Sequence, residues 1–350
     1  MPGPAPARRS ALAPGLVLAV VTALIARWLH GRLPASAAAV VGEVLIAVAL
    51  GLLVGNLVRL PAAVAPGLKL AYQGVLRVAI VLLGASLSLA EIGKVGIRAL
   101  VLVALLMTLA LSLAHGLSRL LGIPPRLGSL IGVGTAVCGN SAISATAPVI
   151  GAKDEEVSFA IATNTLFGTL AVLVYPFLGR ALGLPEAAFG VWAGSAVNDT
   201  SQVVAAGFAY GETAGQVATT VKLTRNALMG AVIVLMGWLY RSGEPRAVQG
   251  GFARRFAQSV PLFVWGFLAL AALRSFGVLE AGSQALGADL VAGATWLAKL
   301  LILVALAAVG LATRFADLAK IGFAPFLVGL AVATACSAAS LALIRFAGLA

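Results

Sequence analysis

Charge is scarce in this chain. Asp, Glu, Lys and Arg make up 10% of its 350 residues, against roughly 25% in a soluble domain. Thiols and imidazoles are scarcer still, with 2 cysteines and 2 histidines. So few Cys residues exclude a disulfide framework and a thiolate metal cluster. Cys336 reads as a small packing residue. His30 and His115 fall near the ends of apolar runs, with no ligating or catalytic partner close in sequence. No Walker loop, GxSxG elbow, HExxH or CxxC occurs, so ATP-driven pumping is not expected from this chain. Ser141 has no His or Lys in its own motif, which argues against a hydrolase. The expectation is a protein that is not an enzyme and needs no metal or cofactor.

What fills the chain instead is hydrocarbon. Hydrophobic residues reach 61% and the mean hydropathy is +1.05, the composition of a polytopic membrane protein. The net charge of +12 is spread along the chain in ones and twos. That pattern fits loops between spans and a lipid partner, not a nucleic-acid face. Residues 1–11 read as a basic, Pro-rich tail, followed by a retained first helix rather than a cleaved signal. Residues 12–350 read as one all-α transmembrane domain.

About 20 apolar residues cross a bilayer as a helix. That rule places spans near 12–30, 36–58, 71–90, 96–118, 127–150, 156–182, 187–210, 215–240, 258–275, 288–311 and 322–346. The polar segments could be re-entrant, so the expected range is 9–11 spans. Thirteen Lys and Arg residues then fall on one side, among them Arg8, Arg9, Arg59, Lys69, Arg126, Arg241, Arg254, Arg255, Arg314 and Lys320. Seven fall on the other, and the positive-inside rule predicts a cytoplasmic N-terminus.

Two internal echoes stand out. "GASLSLAEIGKVGIRAL" from Gly84 is similar to "GLATRFADLAKIGFAPF" from Gly310, matching Glu91 with Asp317 and Lys94 with Lys320. The surrounding segments, 71–118 and 297–346, would be inverted repeats, since seven spans separate the copies. "NTLFGTLAVLVYPF" from Asn164 is also similar to "NALMGAVIVLMGWL" from Asn226. Span counting does not reconcile this second echo with the first.

The polar groups concentrate in 132–150 and 192–207, inside otherwise apolar runs. In "GTAVCGNSAISATAPVI", glycines and Pro148 weaken a helix. A helix broken there would turn free N–H groups toward a solute. Cys138, Gly139, Asn140, Ser141 and Ser144 are the binding candidates of this segment. A tightly packed small-residue helix contact is the alternative. In "GSAVNDTSQ", Asp199 lies deep in its span, where a charge is costly and by default functional. Asn198, Thr200, Ser201 and Gln202 join the binding candidates. Asp199, with Asn164 and Asn226, is the candidate for the coupling proton or Na⁺. Lys222 and Arg225 stand one turn apart and share a helix face. They read either as an oxyanion site or as the structural partners of Asp199. Arg77 and Lys299, within reach of an interface, are set aside.

These stretches, "GVGTAVCGNSAISATAPVIGA", "FAIATNTLFGTLAVLVYPFLG", "GVWAGSAVNDTSQVVAAG" and "ATTVKLTRN", resemble the YeiH-type family of bacterial inner-membrane proteins. The similarity covers nearly the whole chain beyond about residue 35. Members carry the label of sulfate exporter. The resemblance implies the broken, crossing helices and inverted repeats of the cation/proton antiporter and bile-acid symporter fold. It also implies an inner-membrane location. The expected function is secondary transport of a small anion, sulfate or an organosulfonate, coupled to H⁺ or Na⁺. A cation/proton antiporter and a non-transporting sensor subunit are the alternatives, and a homodimer is compatible with either.

Overall fold

The computed structural model describes residues 12–34, 41–240, 261–314, 316 and 322–346. The basic tail and the loop containing Arg241, Arg246, Arg254 and Arg255 lie outside them, as do Asp317 and Lys320. Among the described residues the fold is entirely helical. Seven helices, counting composite ones, are long and apolar enough to cross a membrane, or eight if a bent pair counts as one span. This is a polytopic membrane helical bundle.

Within the described residues each of the eleven expected segments is helical, but not all are single long helices. In chain order they are α1 (Ala13–His30), α2 (Glu43–Leu57), the composite α3 (Ala62–Ser86) and α4 (Leu89–Leu120). Then follow α5 (Pro125–Ala136), α6 (Asn140–Ile150), α7 (Asp154–Ala181), α8 (Glu186–Ala196), α9 (Thr200–Tyr210), α10 (Glu212–Ala227) and α11 (Met229–Leu239). The last are α12 (Leu262–Ser275), α13 (Val278–Leu286), α14 (Leu290–Ala312) and α15 (Phe323–Phe346). The expected spans at 127–150 and 187–210 are thus the half-helix pairs α5–α6 and α8–α9. The α12–α13 pair bends by 72° at Gly277, whose φ is 70°.

Local chemistry sets several of these ends. Pro124 and Pro125 open α5, and Pro185 precedes α8. Asp289 caps α14 by accepting from the N–H groups of Val291 and Ala292 at 3.0 and 2.9 Å. Lys69 was expected in a loop before a span at 71–90. The helix starts earlier, and Lys69 lies inside α3.

The described chain divides into two compact units, residues 1–88 with 266–315 and residues 89–265 with 316–350. Both copies of the Gly84/Gly310 echo fall where the chain leaves the first unit. Gly84 ends α3 just before α4, and Gly310 lies in the last turn of α14, ahead of α15. In the first unit α2 and α14 touch through backbone. A Cβ on Gly51 would lie 2.9 Å from the Gly310 Cα, and one on Gly310 would lie 2.9 Å from the Gly51 Cα. Dispersion replaces the hydrophobic effect as the force between helices in lipid, so this close approach is the main attraction available there.

In the second unit α8 packs on α10 and on α15. Trp192 stacks on Tyr175 at 4.2 Å and donates from Nε1 to the Ser337 carbonyl at 3.2 Å. Ser195 Oγ and Ser340 Oγ share a hydrogen bond of 2.6 Å.

Gly310→Val tests the α2–α14 contact. Overpacking against backbone costs about 1–3 kcal/mol, so the melting temperature of the detergent-purified protein falls by several degrees. Gly293→Ala, in the same helix with no neighbour within 4 Å, leaves it unchanged or raises it. Equal melting of Gly310→Val and the native chain would remove the contact from the account.

Candidate functional site

Two helices of the second unit are interrupted. Between α5 and α6 the chain passes through Val137, Cys138 and Gly139, and Gly139 adopts φ 71°, ψ −129°, a conformation open only to glycine. The Ile143 side chain comes back beside the Gly134 Cα, although nine residues of straight helix would separate them by about 13.5 Å. The chain therefore bends sharply at this break. Between α8 and α9, Val197 and Asp199 are extended. The two breaks touch. A Cβ on Gly139 would lie 2.8 Å from Asn164 Nδ2, 2.9 Å from Asp199 Oδ2 and 3.0 Å from Asp199 Cα.

A broken helix leaves carbonyls at one half-helix end and N–H groups at the next. The carbonyl ends of α5 and α8 are both met by α10. Lys222 Nζ donates to the carbonyls of Val137 at 2.8 Å, Val197 at 3.1 Å and Asn198. Arg225 donates from Nε to Ala136 at 3.2 Å and from Nη2 to Thr135. Its Nη1 reaches the carbonyls of Gly194, Ser195 and Val197 at 3.1, 2.8 and 3.0 Å. Lys222 is 0% and Arg225 2% exposed, so neither faces an open space. Their charges act through the helix ends they hold. Three acceptors around Nζ suit an ammonium, whose three protons they use up.

The N-terminal ends lie on the other side of the breaks. Asp199 is the N-cap of α9. Its Oδ1 accepts from Ser201 N at 3.0 Å and Ser201 Oγ at 2.8 Å, and Gln202 Oε1 accepts from the Asp199 N–H at 3.3 Å. That is a capping box, and it gives Ser201 and Gln202 structural work. Gln202 Nε2 also donates to the Thr165 carbonyl at 3.2 Å. α6, by contrast, has no side-chain cap. Asn140 at its first turn donates to Thr165 Oγ1 at 3.2 Å and accepts from Asn164 Nδ2 at 2.9 Å.

The second echo acquires a structural meaning here. Asn164, on α7, follows the first broken pair and donates to Asn140, the first residue of α6. Asn226, on α10, follows the second and donates to Thr200 Oγ1, the first residue of α9, at 3.3 Å. Both amides are buried, and among the described residues the Oδ1 of each has no hydrogen-bond partner. An orphaned buried oxygen is costly, and the two asparagines place equivalent ones at the two helix starts.

The remaining candidates scatter. Cys138 is buried within the first break, with Sγ 3.4 Å from Met229 Sδ. Ser141 and Ser144 lie on the exposed face of α6. Asn198 joins through its carbonyl, held by Lys222. Thr165 and Thr169, which hold Gln202 and Asn140, were missed. The signal for Thr165 was the polar "TNT" inside the apolar run of α7; Thr169 lies beyond it.

The local charges sum simply. Each half-helix end carries roughly half a charge. The two carbonyl ends and two N–H ends therefore cancel, leaving Lys222 and Arg225 against Asp199. In formal charges the breaks hold two basic side chains against one carboxylate, a surplus of about one positive charge.

The bundle and its paired broken helices define a multi-pass membrane protein. A family model described as "conserved hypothetical protein 698" matches residues 14–329. The chain is 36% identical over 336 residues to a UPF0324 membrane protein of Streptococcus pyogenes, covering 94% of this chain and 96% of that one. It is 35% identical over 317 residues to one of Agrobacterium fabrum, covering 89% and 87%. A third, from Clostridium tetani, is 31% identical over 323 residues, covering 89% and 90%. The chain belongs to this family, the UPF0324 membrane proteins, which is the YeiH-type family its motifs resemble.

Lys222→Met strands the Val137 and Asn198 carbonyls, Val197 keeping its bond from Arg225, and should lower stability by at least ~3 kcal/mol, the worth of about two charge-assisted bonds. Gly139→Ala adds a clash to an unfavourable φ, whereas Gly287→Ala, with φ 64° and open space, costs about 1–2 kcal/mol. Thermal melts in detergent rank the three. Native-like melting of Lys222→Met would contradict the role given to its carbonyl bonds.

Proposed function

We propose that this chain is a secondary transporter of a small anion, sulfate or an organosulfonate, exported with coupling to H⁺ or Na⁺. The observation that carries this reading is the meeting of two broken helices at Gly139 and Asp199, with both carbonyl ends held by buried cations. Backbone broken in mid-membrane is tolerated where it lines a solute site. The positive surplus at the breaks favours an anion. Protonation of Asp199 raises the surplus from about one charge to about two, which matches a dianion and ties its binding to proton uptake. Asn140 with Asn164 at one helix start, and Thr200 with Asn226 at the other, add amide and hydroxyl groups to the breaks. The N-terminus lies in the cytoplasm and the protein in the bacterial inner membrane.

One observation favours a second reading. The free oxygens of Asn164 and Asn226, with the Asp199 carboxylate, form an oxygen-rich set suited to Na⁺. A cation/proton antiporter would use that set alone.

Proteoliposome flux separates them. Labelled sulfate, or an alkanesulfonate, moves with an imposed pH or Na⁺ gradient. Asp199→Asn cuts its rate roughly tenfold and removes the dependence on the gradient. Asn caps a helix as well as Asp does, so this variant keeps its melting temperature. Unaltered flux in Asp199→Asn removes the coupling role. Na⁺-dependent proton flux without any anion selects the antiporter.

A further inference from the structure

The composite span α3 carries charge where a lipid-facing helix cannot. It runs 25 residues from Ala62 to Ser86, so its middle is residue 74. Lys69, Gln73 and Arg77 are all exposed. With this span centred in the bilayer and rising about 1.5 Å per residue, Gln73 sits at mid-depth, Lys69 about 8 Å to one side and Arg77 about 5 Å to the other. A hydrocarbon core about 30 Å thick leaves Arg77 about 10 Å from the nearer boundary, further than its side chain reaches. Among the described residues none of the three has a side-chain hydrogen bond or an ion pair.

The backbone adds a second observation. Residues Leu70–Val75 form a π-helical turn between two α-helical pieces. Eight residues of α-helix would rotate this stripe by about 80°. A π turn rotates less per residue, bringing positions 69, 73 and 77 closer to one line. Such turns cost stability and recur at functional sites. Two cations and an amide without partners among the described residues, aligned by a wide turn within a span, call for water and a counter-charge.

We infer that this face of α3 is wetted and forms a cationic wall along which a small oxyanion travels, Lys69 and Arg77 supplying the attraction and Gln73 a neutral donor between them. The part played by the anion rests on the transport reading above. The wetted, positive character of the face does not.

Single-cysteine labelling in proteoliposomes tests it. The native Cys138 and Cys336 are 4% and 3% exposed, so the unaltered chain supplies the unreactive background. Gln73→Cys and Arg77→Cys should react with membrane-impermeant charged methanethiosulfonates, while Leu24→Cys, on an exposed apolar face of α1, should not. At Gln73→Cys the anionic reagent should react roughly tenfold faster than the cationic one. Adding Arg77→Gln should remove most of that preference. Positions inert to charged reagents but labelled by a lipid-soluble maleimide would overturn the inference. So would a disulfide-linked dimer of Gln73→Cys, which would mean that a second copy covers the face. A preference for the cationic reagent would also overturn it. Labelling as expected, with no anion flux in the native chain, would leave the wetted face standing and remove the transport reading instead.

Discussion

Two buried cations make the second unit possible. Breaking a helix inside a bilayer exposes carbonyls that have no water to turn to, and each costs several kcal/mol if left alone. Lys222 and Arg225 answer this for both broken helices at once, gathering carbonyls from Thr135, Ala136 and Val137 on one side and from Gly194, Ser195, Val197 and Asn198 on the other. Their own desolvation is large, and these charge-assisted bonds offset it. The interruptions and the cations are therefore one feature, and neither is stable without the other.

That division of labour frees the opposite side of the breaks. With the carbonyl ends satisfied, the N-terminal ends of α6 and α9 remain as the polar surface of the crossing, with Asp199 committed as a cap through Oδ1 alone. Asn164 and Asn226 repeat one contact on the two helix starts. The unit thus has an internal pseudo-symmetry of broken helix followed by an amide-bearing helix.

Much of this was legible in the sequence. Hydropathy located the long apolar helices, because lipid imposes length and apolarity so strictly, but not α13 or the first turns of α3. The glycine content around residue 139 marked one break and the hydrophilic run 198–202 the other. The capping role of Asp199 was also readable, as Asp followed three residues later by Gln202. The partners of Lys222 and Arg225 were not, since they come from carbonyls more than twenty residues away that carry no residue-specific signal. A pair of cations on one helix face looks the same whether it awaits a solute or a helix end. Lys69 was placed in a loop because its charge interrupts the apolar run, whereas the helix continues through it. The 164/226 echo could be seen but not interpreted until both asparagines were found at equivalent helix starts.

The two rungs between α8 and α15 settle a matter of direction. Trp192 meets Ser337 and Ser195 meets Ser340, so each step of three residues along one helix matches a step of three along the other. The two helices therefore run the same way rather than head to tail. Passing from one to the other through α10–α11, α12–α13 and α14, the chain must reverse an even number of times. That holds when α8–α9 and each of these three segments traverses the bilayer once, with the bent α12–α13 pair counted as one passage.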